Sequence, residues 1–139
     1  MANVIPKEAK KEIIDGYIAE TWKVCLLTNV FAYVTGTYIT YADLLASGTE
    51  VVGTNYTAGG NTVSKSEWGA GSGYVDTTNA MLDATDVPWT IATITARYAA
   101  TYETTGGKIR GIYDFGEDKV VVAGSFTIQW NAQGLMKIA

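Results

Sequence analysis

Residues 89–103 alternate with a period of two. Ile94, Ala96, Tyr98, Ala100 and Tyr102 share one face, and Thr93, Thr95, Arg97, Ala99 and Thr101 share the other. This spacing suits a β-strand, because the apolar residues of an amphipathic helix recur every three to four positions. Pro88 bounds the run on its N-terminal side. Thr104-Thr-Gly-Gly reads as a turn into 108–115, which is a hairpin signal. Asp114-Phe-Gly-Glu-Asp reads as a second turn. Lys119-Val-Val-Val then leads through Ala123-Gly124 into 125–130, with Phe126, Ile128 and Trp130 on one face. Asn131-Ala-Gln-Gly closes a further turn into 135–139. Short strands separated by glycine-bearing turns predict a mainly β fold, either an antiparallel β-sandwich or a jelly-roll-like barrel.

The N-terminal region has a different period. Pro6 suits a first helical turn, and good helix formers follow over 7–12. Ile13, Ile14, Tyr17 and Ile18 then make one apolar stripe, so 6–20 reads as a short amphipathic helix that must lie on a body or a partner. Past it, Trp22, Val24 and Leu26 alternate with Lys23, Cys25 and Leu27, and β-prone residues continue through Phe31, Tyr33, Thr35 and Thr37. A helical turn is expected over Tyr41-Ala-Asp-Leu-Leu-Ala, ended by Gly48, with a strand over Glu50-Val-Val after it. Residues 53–80 are rich in Gly, Thr, Ser and Asn, and are too long for an ordinary connection. They read as a functional loop or one broken by short strands, with Val51, Tyr56, Val63 and Trp68 as anchors. The expected organisation is an arm over 1–20 and a β-sandwich domain over 21–139.

Composition narrows the chemistry. The 139 residues include no histidine, which removes Ser–His–Asp and Cys–His catalysis, imidazole metal sites and histidine pH switches. One cysteine, Cys25, allows neither an intrachain disulfide nor a thiolate zinc cage, and its apolar neighbours predict a buried, inert thiol. Ten basic against fourteen acidic residues, with no basic cluster, argue against nucleic acid. No apolar run reaches the roughly 20 residues of a membrane helix. The first residues lack the basic-then-apolar order of a signal peptide, so synthesis in a reducing cytoplasm is expected. The expectation is a non-enzymatic domain with no cofactor and no metal.

The remaining constellations have plain structural readings. Asp114-Phe-Gly-Glu-Asp carries enough oxygens to suggest calcium, but a turn with solvated carboxylates explains it. Gly69-Ala-Gly-Ser-Gly lacks the lysine and following helix of a phosphate cradle. The aromatic residues suggest a sugar platform, yet the rows Tyr98/Tyr102 and Phe126/Trp130 have the spacing of core or interface strands. Trp68, set in the polar loop, is the tryptophan expected to face a ligand or partner. Arg97 stands alone on a Thr-rich face and is placed to pair with an acidic residue across strands. A Thr-rich face with so few charges suits packing against another subunit. The candidate interaction residues are therefore Ile13, Ile14, Tyr17, Ile18, Trp68 and Arg97.

Pro88-Trp89, Thr93-Ile-Thr-Ala-Arg-Tyr-Ala, Ile112-Tyr-Asp-Phe-Gly, Gly124-Ser-Phe-Thr-Ile-Gln-Trp and Gly134 together resemble small virion structural proteins of tailed bacteriophages. Trp22-Lys-Val-Cys-Leu-Leu and Tyr56-Thr-Ala-Gly-Gly extend the resemblance over roughly residues 20–139. It implies a β-rich virion module of the capsid decoration (cement) type. Such a module stabilises the phage head by contacts with the major capsid protein and with copies of itself, a trimer being the oligomer that matches a threefold position. It implies no catalytic residue. The other reading is a carbohydrate- or receptor-binding β-sandwich module of a phage tail or fibre.

Overall fold

The computed structural model describes residues 5–67, 80–130 and 135–138. The fold is mainly β and antiparallel, with a short N-terminal helix. The chain divides into two units: residues 21–63 with 87–128, and residues 1–20 with 64–86 and 129–139. The 1–20 segment groups with two later stretches of chain.

In the larger unit β1 (Trp22–Leu27) is central. It pairs with β2 (Asn61–Val63) on one side and with β5 (Val87–Glu103) on the other; β6 (Ile109–Ile128) extends the sheet beyond β5. Its order, β2-β1-β5-β6, leaves β2 and β6 as edges, so this sheet does not close into a barrel. Five of the six β1 residues are buried, because both of its faces are covered. A strand buried on both faces reads as a near-continuous apolar run, as Val-Cys-Leu-Leu does here. On one face Cys25 and Leu27 pack in a cluster with Phe31, Leu44, Ala100 and Tyr102.

Leu44 comes from α2 (Tyr41–Ser47). The Asp43 carboxylate accepts the backbone N–H groups of Thr40 (2.9 Å) and Ile39 (3.0 Å), which satisfies donors orphaned at the helix start. These amides hold the Asp43 carboxyl below its ordinary range. Gly48, at φ 69°, ends the helix in the left-handed conformation. The β5–β6 turn is closed from inside the sheet. Glu103 accepts the N–H groups of Gly106 (2.7 Å), Lys108 (2.9 Å) and Thr105 (3.0 Å).

In the smaller unit α1 (Lys7–Ala19) packs on β4 (Ala80–Ala84), which pairs with β3 (Lys65–Glu67) and β7 (Met136–Ile138) in the order β3-β4-β7. Ile14 and Leu82 are fully buried. Lys11 and Asp15 pair at 3.0 Å along the helix.

Three expected features differ. Glu50-Val-Val is no strand: only an isolated bridge joins Leu27 to Glu50. Residues 31–37 are loop and turn despite their β-prone composition. Asp114-Phe-Gly-Glu-Asp does not reverse the chain; β6 runs through it as a wide bulge, with Gly116 at φ 87°. The described part of 53–80 is broken by β2 and β3, and the turn expected over 131–134 lies outside the described residues.

Candidate functional site

The β5–β6 hairpin is too long to stay flat. Trp89 pairs with Phe126, Ala92 with Gly124, and Ile94 with Val121. Thr90 and Ile91 therefore face the single residue Ser125, and Thr93 alone faces Val122 and Ala123. These are two bulges of opposite sense in adjoining steps, and bulges bend and coil a ladder. Farther along, Arg97 faces four residues, 115–118. The bend is large. Eleven residues of extended strand would span about 36 Å, yet the rings of Phe115 and Phe126 lie 6.2 Å apart. The inside of the bend carries Trp89, Ala92, Ile94 and Ala96, all buried, with the Trp89 ring 6.1 Å from Phe126 and 5.9 Å from Tyr56.

The outside of the bend is apolar and exposed. Ile91 is 70% accessible, Val120 64% and Val122 74%. Thr54 bridges to Thr93, which brings the 52–55 segment alongside with Val52 at 98%. A side chain on Gly53 would run into the Thr93 carbonyl, so only glycine permits this approach. Ile91 sits at φ 49°, as does Ala123. A β-branched residue in the left-handed region is a genuine outlier, and such strain costs about 1–3 kcal/mol. Neighbours impose it. Asn55 Nδ2 donates to the Ile91 carbonyl (2.8 Å), the Ala123 N–H donates to Thr93 Oγ1 (3.2 Å), and the Thr93 N–H donates to the Thr54 carbonyl (3.2 Å). The fold thus spends stability to hold a large apolar side chain out in solvent.

Charges flank this crest and are paired. Arg97 Nε and Nη2 donate to Asp114 at 2.7 and 3.3 Å, the cross-strand pairing expected of Arg97. The Asp114 carboxyl is held below its usual range by Arg97 and by the Gly116 amide. Lys119 pairs with Glu117 at 2.8 Å, and Asn29 donates to Asp118 at 3.0 Å.

A second cluster is half-buried. Glu50 Oε1 accepts the Tyr56 hydroxyl (2.7 Å) and the Gly59 N–H (2.7 Å), while Oε2 accepts the Tyr41 hydroxyl (2.6 Å). Tyr102 stacks on Tyr41 at 4.5 Å and donates to the Gly59 carbonyl at 2.6 Å. The Tyr56 oxygen also accepts the Leu26 N–H at 2.9 Å. Beyond Val24 the β2 partner strand has ended, so this hydroxyl takes the place of a ladder bond. Desolvation, and then the neighbouring carboxylate, push Tyr41 and Tyr56 well above the ordinary phenol range. Burial pushes the Cys25 thiol up to about 12. Protonated phenols donating to both oxygens of one carboxylate make a clamp on 50–60 rather than an activated acid or nucleophile.

The residues singled out in the sequence are dispersed. On α1, Ile14 is buried, Tyr17 and Ile18 are half-buried and Ile13 is exposed. Arg97 belongs to the other unit, and Trp68 lies outside the described residues. Sequence reading missed Ile91, Val122 and Val52. A signal was present: Trp89 and Ile94 are both large and apolar although five positions apart, and one unbroken alternation cannot put both on the same face. Among the described residues no three His, Cys, Asp or Glu side chains group as a metal site, and no helix is long and apolar enough to cross a membrane. Comparison with protein-family models, curated proteins and solved structures finds no match.

Proposed function

We propose that the chain is a non-catalytic assembly module, a structural virion protein of the capsid decoration type, which binds the major capsid protein and copies of itself on the phage head. It is made in the host cytoplasm and works in the virion. The strained, solvent-facing crest at Ile91 carries this reading, since strain held in place by a fold marks positions with a role beyond stability.

Magnitudes favour an array over a soluble pair. Burying the Val52, Ile91, Val120 and Val122 side chains would yield at most about 6–12 kcal/mol. Bringing two bodies together costs roughly 4–15 kcal/mol, so one such patch binds weakly. Repetition across a lattice turns weak contacts into stable attachment. The resemblance over 20–139 supplies the virion context, and a trimer at a threefold position would present three crests at once.

The test is co-sedimentation with empty heads of the phage whose genome encodes the chain, wild type against Val122→Asp, with light scattering of the free protein. Saturable binding lost in Val122→Asp is expected. A coding sequence remote from capsid genes, or heads that take up neither protein, would refute the proposal. Fluorescence quenching of Trp68 and the other aromatics by glycans tests the tail or fibre reading.

A further inference from the structure

The larger unit has a groove of about 570 Å³ lined by Tyr33, Tyr38, Ile39, Ile109, Arg110, Gly111 and Ile112. One wall is the 33–39 loop. Thr37 N–H donates to the Val34 carbonyl at 3.1 Å across a turn that needs Gly36 at φ 80°. The turn sets the Tyr33 and Tyr38 rings 6.5 Å apart at 35°. Phe31 backs Tyr38 at 5.1 Å and is itself braced edge-on by Tyr98 at 5.5 Å, so that wall is fixed from behind. The other wall is the start of β6, tied to the loop by the Ile109 N–H to the Ile39 carbonyl at 3.0 Å. Tyr102 pairs with Ile109 and Thr101 with Gly111, which makes Arg110 the extra residue of a bulge. Bulges commonly re-aim a side chain.

The lining is aromatic and apolar, with one cation and no carboxylate. Arg110 is engaged within the fold, and its charge helps to keep Glu103 ionised. A guanidinium carries five donors and serves more than one partner. The two tyrosine rings are too close to admit a third ring between them, so a ligand lies across their exposed side. Tyr33 and Ile39 are more than half exposed, which leaves the mouth open to water.

We propose that this groove binds a saccharide that carries a carboxylate, its apolar C–H face on Tyr33 and Tyr38 and its carboxylate on Arg110. An open, wet mouth suits a ligand whose hydroxyls stay hydrated, and the guanidinium fork matches a carboxylate in two parallel bonds. This inference does not rest on the assembly reading.

Isoleucine methyl NMR of the intact protein tests it, because Ile39, Ile109 and Ile112 all line the groove. The probes are a glucuronic-acid disaccharide and sialyllactose, with lactose, acetate and benzoate for comparison. The expected result is saturable shifts at these methyls with an acidic saccharide at millimolar concentration and none with lactose. Arg110→Gln should weaken binding roughly tenfold or more, the usual worth of a charge-assisted bond, and Tyr33→Ala several-fold. Tyr33 is exposed, so that variant keeps the test usable if Arg110→Gln fails to fold. Equal shifts with lactose would remove Arg110 as the determinant and overturn the proposal. Equal shifts with acetate or benzoate would make this an anion site only, and no shift with either acidic saccharide would leave the groove empty of this ligand class.

Discussion

Tyr56→Phe deletes one oxygen and breaks two hydrogen bonds that share it. The hydroxyl donates to Glu50 at 2.7 Å and accepts the Leu26 N–H at 2.9 Å. Leu26 is fully buried, so its amide is left with no acceptor and no route to water. Orphaning a buried donor costs about 1–3 kcal/mol, and losing a bond to a charged group about 1.5–3 kcal/mol. The two losses overlap because one atom serves both, so about 3 kcal/mol is the expected total. For a chain of 139 residues that lowers the melting temperature by about 10 °C. Urea unfolding should show the midpoint shift with the slope unchanged, since no surface is newly exposed. Tyr41→Phe is the internal control. It removes one bond to Glu50 and orphans no amide, so it should cost about half as much. A Tyr56→Phe loss below about 1 kcal/mol would mean that Leu26 N–H finds another acceptor, and would refute the substitute-ladder role.

Three other outcomes follow from the geometry. Ile91→Gly should relieve the φ 49° strain and raise stability by about 1 kcal/mol in a urea melt while weakening uptake onto heads, a trade of stability against function. Gly60→Ala should destabilise strongly, because a Cβ there would run into the Val24 carbonyl and the residue sits at φ 76°; loss of the cooperative thermal transition is the readout. Glu103→Gln should flatten the acid limb of stability. The Lys108, Gly106 and Thr105 amides, with Arg110, lower the Glu103 pKa on folding, so its contribution is present above the unfolded carboxylate range and is lost as pH falls through the folded value. Melts from neutral pH down to about pH 2 would show wild type losing more than the variant.

Legibility in the sequence followed locality. α2 was readable because its stop, Gly48, sits beside its apolar residues, and the 104–107 turn because Gly-Gly follows a clean alternation. Glu50-Val-Val looked like a strand by propensity, but the Glu50 carboxylate is taken by two tyrosines and an amide that only the folded chain brings near. Asp114-Phe-Gly-Glu-Asp has turn composition, yet pairing on both sides of it keeps β6 running in one direction through the bulge. The crest at Ile91 was legible only in part, since the five-residue spacing of Trp89 and Ile94 marks a change of phase on one strand alone. Its position depends on how two strands are aligned, and one strand's alternation says nothing about its partner's. The resemblance pointed to assembly without indicating which face would be used.

The paired bulges also constrain how this hairpin can change length. One strand gains a residue and its partner gains one a step later, so the offset opened at the first is closed at the second, like two marks on a vernier. A single deletion between 89 and 92 would remove one mark and leave the other. One residue would then face Ser125, with Trp89 still opposite Phe126 and Ala92 still opposite Gly124, so the pairing on either side survives and the ribbon loses one of its two kinks. Deleting one residue from each strand would remove both kinks and straighten the ribbon, giving a folded hairpin with no crest. Single deletions at either bulge should therefore keep the flanking pairs, and the curvature is stored in a difference between two strands that neither strand carries alone.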